Sequence, residues 1–196
     1  MMGADAIRDE ITAQAKAAVY YVPDADTVFE IGGQDSKYIS LKDGEVADFT
    51  MNKICAAGTG SFVEEQSLRM GIPIDEFGKL ALQGKNPCDL GERCTVFIET
   101  SIASAEGAGV SREDIAAGLC HSIVKNYLHK VVANKPVGKS IVLQGGVDYN
   151  PGIVAAFMSA YRDRITVSPV FSISGAIGAA HLAKDAMLNA DGTRRK

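Results

Sequence analysis

Short apolar runs alternate along the chain with longer stretches in which apolar residues recur every three or four positions. The short runs predict strands, and the helical spacing of the longer stretches predicts helices. Asp43-Gly44 separates two short runs and is typical of a tight hairpin turn, because both residues tolerate a positive φ. The predicted strands are residues 27–32, 37–41, 45–50, 140–144 and 165–167. The predicted helices are residues 4–20, a stretch from the loop 55–61 to about 70, 75–83, a stretch from Ser111 to about 133, 152–161 and 175–188.

This order of elements predicts an α/β protein with a mixed sheet and helices packed on it. Residues 96–98 fit either a strand or the first turn of a helix. Ser111 and Asp114 form a variant of the capping box, which marks the start of the long helix that follows. The length of 196 residues suits one large domain or two small ones.

Charge and composition remove several classes of function. The chain carries 20 basic and 24 acidic residues and a net charge of −4, which argues against a nucleic-acid binder that depends on clustered positive charge. No apolar run approaches the roughly 18 residues of a membrane-spanning helix. The N-terminus also lacks the basic start and apolar run of a signal peptide. We therefore expect a cytoplasmic protein with no nucleic-acid and no membrane partner.

Two glycine pairs directly follow predicted strands. Gly32-Gly33 follows the first strand, and Gly145-Gly146 follows the strand 140–144. Ligands of α/β sheets gather at the carboxyl ends of strands, where glycine lets the backbone approach an anion closely. Neither pair matches the P-loop or the dinucleotide-binding pattern. The pairs are either ordinary strand-end turns or parts of one ligand site, and their matching positions favour the site.

Polar residues surround the first glycine pair. Glu30 and Asp35 supply carboxylates of the kind that Mg²⁺ binds. Gln34 supplies an amide that can orient water, and Lys37 supplies a cation. One or two carboxylates are enough for Mg²⁺, because this ion keeps several of its waters. This segment is therefore the candidate catalytic segment.

The four cysteines allow several interpretations. Cys55 begins a loop that opens a predicted helix, and Cys94 precedes the residues that fit either a strand or a first helical turn. At a helix start the dipole stabilises a thiolate and so favours metal binding. Spacing alone leaves open buried thiols, which are favoured, a closed zinc site, or a symmetric dimer in which two cysteines of each chain supply four ligands. Cys120 fits core packing. Cys88 is a spectator or an accessory ligand, with the spectator favoured.

Taken together, these segments resemble the BadF/BadG/BcrA/BcrD-type ATPases, which activate 2-hydroxyacyl-CoA dehydratases or serve as the ATPase subunits of benzoyl-CoA reductases. The segment Cys-Ala-Ala-Gly-Thr-Gly-x-Phe is highly specific for this family, and the matches span nearly the whole chain. The matching stretches are Glu-Ile-Thr-Ala-Gln-Ala-Lys-Ala-Ala (10–18), Ile-Gly-Gly-Gln-Asp-Ser-Lys (31–37), Asn-Lys-Ile-Cys-Ala-Ala-Gly-Thr-Gly-Ser-Phe (52–62), Cys-Thr-Val-Phe-Ile-Glu-Thr (94–100), Gly-Gly-Val (145–147) and Ser-Gly-Ala-Ile-Gly-Ala-Ala (174–180).

The resemblance implies the fold of actin, heat-shock chaperones and sugar kinases, in which ATP lies with Mg²⁺ between two ribonuclease-H-like lobes. It implies that residues 30–35 form the second phosphate loop and that Gly145-Gly146 forms the adenosine loop. It also implies a homodimer that holds one four-iron four-sulfur cluster between its subunits, with Cys55 and Cys94 at the ligand positions. Such a protein couples ATP hydrolysis to the transfer of one low-potential electron to an acyl-CoA dehydratase or reductase.

Two departures from the family change this expectation. The first phosphate hairpin of the family has no counterpart here, and position 30 is Glu where the family commonly has Asp. We therefore expect a fragment of a larger activase, in which residues 1–188 form a truncated ATPase domain and 189–196 a disordered tail. Within it, 1–50 would be the remnant of the first lobe and 51–188 the cluster-bearing and adenosine-binding lobe.

Two other functions remain open. A sugar or acyl kinase of the same fold explains the glycine pairs but not the segment around Cys55. A regulatory or scaffold module without ATP hydrolysis is favoured by the missing hairpin. The expected activator requires both the glycine pairs and the cysteine segments.

Overall fold

The computed structural model describes residues 7–52, 58–92 and 95–189. Within these ranges, helices and strands alternate much as the hydrophobic pattern predicts. The helices are α1 (Glu10–Tyr21), α2 (Gly60–Arg69), α3 (Ile74–Ala81), α4 (Thr95–Gly107), α5 (Arg112–Tyr127), α6 (Pro151–Tyr161) and α7 (Ser174–Asn189). The strands are β1 (Thr27–Ile31), β2 (Ser36–Lys42), β3 (Glu45–Met51), β4 (Ile141–Gln144) and β5 (Ile165–Val167).

The strands form one mixed sheet in the order β3-β2-β1-β4-β5. β1, β2 and β3 are an antiparallel meander, whereas β1, β4 and β5 run parallel. The predicted hairpin is confirmed: Asp43 and Gly44 have φ angles of 54° and 80°, as a two-residue hairpin turn of this hand requires. The mixed sheet predicted from the order of the elements is therefore also confirmed.

Successive residues of a strand point to opposite faces of the sheet. The central strands carry apolar residues on both faces, and helices pack on each face. Phe29 of β1 and Leu143 of β4 face a large core that includes residues of α5 and α6. Val28 and Val142, their neighbours along the strands, face a smaller core built with α1. The sheet is therefore the middle layer, although the edge strand β3 is largely exposed.

Several element boundaries differ from the predicted ones. α1 begins at Glu10, so residues 7–9 of the predicted helix are not helical, because the Asp9 side chain accepts a hydrogen bond of 2.8 Å from the Thr12 amide and so caps α1. Residues 96–98 are helical and belong to α4. The long helix that begins after Ser111 leaves the α-helical geometry at Tyr127 and continues as a π-helical turn over Leu128–Val132.

The sheet contains residues from both sides of the predicted lobe boundary at 50/51. β1, β2 and β3 come before or at this point, and they share the sheet with β4 and β5. Thr27 to Glu30 pair in register with Ile141 to Gln144. These strands form one structural unit, since β1 lies at the centre of the sheet and is hydrogen-bonded on both of its edges. Within the described ranges, no helix is long and apolar enough to cross a bilayer.

Candidate functional site

The two glycine pairs lie side by side at the carboxyl ends of β1 and β4. The parallel register pairs Glu30 with Gln144, so that both strands reach their glycines at the same edge of the sheet. Gly145 has a φ of 119°, and a Cβ placed on it would lie 2.2 Å from the Ile31 carbonyl oxygen. Only glycine fits this position, because other residues rarely adopt such a φ and would collide with the neighbouring backbone.

The N-terminus of α2 is attached to the first glycine pair. The Gly60 amide donates a hydrogen bond of 2.9 Å to the Gly32 carbonyl oxygen, and the Ser61 amide donates one of 2.7 Å to that of Gly33. A Cβ on Gly60 would lie only 3.2 Å from the Gly32 oxygen, so this approach also depends on a small residue. Helix N-termini carry a partial positive charge and attract anions.

A cleft of about 230 Å³ lies where the two glycine pairs and α2 meet. It is smaller than the roughly 300–1,000 Å³ of pockets that hold a whole drug-sized ligand, so it suits one part of a ligand, such as a phosphate chain. The sequence predicted the two glycine pairs and also the start of α2, but it did not predict that this helix start lies against the first glycine pair. The cleft is lined by Gly33, Gln34, Gly60, Ser61, Val63, Glu64, Ile74, Gly146 and Val147.

Lys37 lies at the centre of a cluster of carboxylates beside this cleft. Its ammonium nitrogen is 2.8 Å from Glu30 Oε2, 2.9 Å from Asp35 Oδ2 and 2.9 Å from Glu10 Oε1. Its side chain is 1% exposed, so the expectation that Lys37 offers a cation to a ligand is wrong. Burial acts to lower the pKa of Lys37, but its hydrogen bonds to Glu30 and Glu10 outweigh this and raise the pKa.

The second oxygens of Glu30 and Asp35 point towards the first glycine pair. A Cβ built on Gly32 would lie 3.1 Å from Asp35 Oδ1 and 3.6 Å from Glu30 Oε1. Burial raises the pKa of Glu30, and the hydrogen bond from Lys37 opposes this rise. The structure therefore brings together Glu30 and Asp35, two of the three predicted catalytic side chains, and places the third, Gln34, in the lining of the cleft.

Asp148 is a buried carboxylate that the sequence did not single out. It lies in the 3-10 turn Gly146–Tyr149 directly after the second glycine pair, and it is 8% exposed. Neither of its carboxylate oxygens has a hydrogen-bond partner among the described residues. Burial, followed by the charge of Glu30, raises its pKa to about 8. Asp148 could have been identified from the sequence as a candidate site residue, because it lies two residues after Gly146.

A buried polar network ties α1 to the second glycine pair. The Gln144 amide donates a hydrogen bond of 2.7 Å to Gln14 Oε1, and the Ser174 hydroxyl donates one of 2.7 Å to the same oxygen. These residues come from β4, α1 and the start of α7, so this contact joins three elements that are distant in sequence. Amphipathic periodicity cannot reveal it, because Gln14 counts as a polar position.

The predicted cluster ligands Cys55 and Cys94 lie outside the described residues. Of the other two cysteines, Cys120 is 1% exposed in the core between helices, which confirms its packing role. Burial raises the pKa of the Cys120 thiol to about 12 and also raises that of Cys88, which disfavours the thiolate form that binds metals. Within the described ranges, no group of three or more His, Cys, Asp or Glu side chains is arranged to hold a metal ion.

A mixed sheet whose two central parallel strands each end in a glycine pair, closed by a helix N-terminus, defines an α/β protein with a cleft of the kind that suits an anionic ligand. The chain belongs to the BadF/BadG/BcrA/BcrD ATPase family, whose family model matches residues 1–183. A relative from Anaerotignum propionicum, the activator of lactoyl-CoA dehydratase, is 36% identical over 184 residues, which are 93% of this chain and 71% of that protein.

Two solved structures agree with this assignment. The (R)-2-hydroxyglutaryl-CoA dehydratase component A of Acidaminococcus fermentans matches with a TM-score of 0.85 and 30% identity, over 91% of this chain and 70% of that one. The activator of 2-hydroxyisocaproyl-CoA dehydratase from Clostridium difficile, solved with bound ADPNP, matches with a TM-score of 0.84 and 30% identity, over 100% of this chain and 74% of that one. The chain therefore has the actin, heat-shock chaperone and sugar kinase fold of these activators.

Proposed function

We propose that this chain is the nucleotide- and iron-sulfur-binding part of an ATP-dependent activator of a 2-hydroxyacyl-CoA dehydratase or a benzoyl-CoA reductase-like enzyme. One observation supports the proposal that the chain binds a nucleotide. The two glycine pairs and the N-terminus of α2 enclose a single cleft beside the carboxylates of Glu30 and Asp35. Family membership and the ADPNP bound to one structural neighbour support the same assignment.

In this proposal the cleft holds the phosphate groups of ATP. The partial positive charge at the N-terminus of α2 favours the negative charge of the phosphates. Gly145-Gly146 leaves room for the adenosine part on the other side. Gln34, which lines the cleft, would orient the water that takes the γ-phosphoryl group and so releases ADP and phosphate. Hydrolysis, rather than transfer to a sugar or an acid, is the expected reaction.

The residues beside the cleft fit Mg²⁺. Three carboxylates and one ammonium leave the cluster around Lys37 with a net charge of −2 when all four groups are ionised. Glu30 Oε1 and Asp35 Oδ1 point towards one position at Gly32, and hard oxygen ligands of this kind suit Mg²⁺. The ion would neutralise charge on the phosphates when bound, while Glu30 and Asp35 hold it directly or through its waters.

The electron-transfer part of the proposal depends on the cysteines. Cys55 and Cys94 of two copies of the chain would supply the four ligands of one four-iron four-sulfur cluster on the two-fold axis of a homodimer. When bound, such a cluster would supply one low-potential electron for the partner enzyme. The cysteine segments favour this function over a kinase, which needs no thiolates.

Anaerobic reconstitution tests the cluster. Wild-type protein incubated with iron and sulfide is expected to take up about four irons per dimer and to become dimeric, whereas Cys55→Ala and Cys94→Ala lose both properties. Cys88→Ala is the matched control, because it removes a thiol that the proposal does not use. Equal iron uptake by the wild type and by the Cys55 and Cys94 variants would sink the electron-carrier function.

Titration calorimetry followed by a phosphate-release assay tests the nucleotide part. The wild type is expected to bind ADP and ADPNP in the presence of Mg²⁺. Phosphate release from ATP would then exclude a module that only binds nucleotide, and transfer of phosphate to small hydroxy or carboxy acids would favour the kinase. Failure to bind any nucleotide would contradict the proposal.

A further inference from the structure

Lys37 joins three separate elements through one buried ammonium group. Its carboxylate partners are Glu10 in the first turn of α1, Glu30 at the end of β1, and Asp35 in the loop after the first glycine pair. A lysine ammonium has three N–H donors, and each of the three has a carboxylate within 2.9 Å. The lysine therefore has no donor left for a ligand, although it lies beside the cleft.

In Glu30 and Asp35, one carboxylate oxygen contacts Lys37 and the other does not. Lys37 contacts Oε2 of Glu30 and Oδ2 of Asp35. The remaining oxygens, Oε1 and Oδ1, point towards Gly32. A carboxylate with one oxygen fixed by a charged hydrogen bond loses rotational freedom, so Lys37 sets the direction in which the other oxygen points.

We propose that Lys37 is a positioning residue that holds Glu30 and Asp35 so that one oxygen of each faces a divalent cation at Gly32, and that Glu10 fixes the position of Lys37 from α1. This inference deepens the proposed function and rests on it, because the cation belongs to the proposed nucleotide site. Lys37 itself contacts neither the cation nor the nucleotide.

Charge alone predicts the opposite effect for the same lysine. Lys37→Met would change the net charge of the cluster from −2 to −3, and a more negative site attracts a divalent cation more strongly. If Lys37 instead positions the two carboxylates, its loss leaves their oxygens disordered and weakens cation binding. The sign of the change in cation affinity therefore separates the two explanations.

Glu10 offers a second and milder variant. Its side chain is 56% exposed, and without it Lys37 still contacts Glu30 and Asp35, so a change at Glu10 does not leave the buried ammonium unpaired. Glu10→Asp keeps the negative charge but shortens the side chain by one methylene group, so its carboxylate no longer reaches Lys37. Gln14 continues to hold α1 against β4 through Gln144.

Electron paramagnetic resonance of Mn²⁺ measures cation binding directly, without turnover. The whole chain with ADPNP is titrated with Mn²⁺ at alkaline pH, and free Mn²⁺ is followed. Lys37→Met is expected to bind Mn²⁺ at least about tenfold more weakly than the wild type, a loss of about 1.4 kcal/mol or more. Glu10→Asp is expected to bind it about threefold more weakly. Glu45→Asp, a matched change at an exposed position of β3, should match the wild type.

Equal or tighter Mn²⁺ binding by a folded Lys37→Met variant would overturn the proposal, because charge would then explain the site. If circular dichroism shows that this variant does not fold, Glu10→Asp decides: an affinity equal to that of Glu45→Asp overturns the proposal. A wild type that binds neither nucleotide nor Mn²⁺ instead refutes the proposed function, and this inference falls with it.

Discussion

Replacing Gly145 by alanine is expected to separate the ends of β1 and β4 and so to destabilise the fold at the candidate site. The added Cβ would lie 2.2 Å from the Ile31 carbonyl oxygen, 2.6 Å from its carbon and 2.7 Å from its nitrogen, whereas ordinary contacts begin at 3.4 Å. All three atoms are backbone, so no side chain can rotate away. The two strands must move apart by about an ångström.

The cost has two sources. A φ of 119° lies in a region that costs a non-glycine residue on the order of 1–3 kcal/mol. Spreading the strand ends weakens at least one hydrogen bond, which contributes about 0.5–1.5 kcal/mol. Together these give a loss of about 3 kcal/mol in the free energy of unfolding. For a chain of this size, each kcal/mol lowers the melting temperature by about 2–4 °C, so we expect a decrease of roughly 6–12 °C.

Gly146→Ala is the matched control. A Cβ on Gly146 would have no neighbour within 4 Å, and this residue is not among the glycines with a positive φ. Its melting temperature should therefore stay within about 3 °C of the wild type, which corresponds to less than about 1 kcal/mol. Thermal unfolding followed by circular dichroism makes the comparison. Equal destabilisation by both substitutions would refute the argument from the close approach of the strands.

Two further predictions concern buried polar groups. Because burial raises the pKa of Asp148 from 3.8 to about 8, the folded protein keeps a proton that the unfolded chain releases, and stability falls as the pH rises between these values. Urea unfolding at a series of pH values should show the wild type losing on the order of a few kcal/mol relative to Asp148→Asn across this window, and parallel pH profiles would contradict it. Gln14→Leu should cost about 1–2 kcal/mol, because the buried Gln144 amide loses its 2.7 Å hydrogen bond to the Gln14 side chain and keeps only the 3.2 Å one to the Gln14 backbone oxygen. Ser174→Ala should cost less, since it removes one hydroxyl of the network, and thermal unfolding that ranks the two variants in the reverse order would argue against this.

The structural features that depend only on residues close together in the chain could be predicted from the sequence. The hairpin at Asp43-Gly44 is determined by two residues with positive φ, and the strands end at glycine pairs that are visible in the sequence. The juxtaposition of the two pairs was also predictable, since parallel strands end at the same edge of a sheet. These features were sufficient to locate the cleft.

Contacts between distant residues escaped prediction. One of the three carboxylates that pair with the Lys37 ammonium is Glu10, which is 27 positions away in sequence, and the turn that holds Asp148 packs against β1. The pairing of β1 with β4 was not predicted either, because no local pattern encodes it. In each case, the decisive partner lies far away along the chain and carries no periodic signal.

Binding of nucleotide in the cleft between the two glycine pairs is the central claim. Two-dimensional nuclear magnetic resonance of the isotopically labelled chain, titrated with ADPNP and Mg²⁺, tests it most directly. The largest changes in amide shift are expected at residues 32–35, 60–63 and 145–147, which line or adjoin the cleft. The absence of any shift, or shifts that cluster away from these three segments, would contradict the claim.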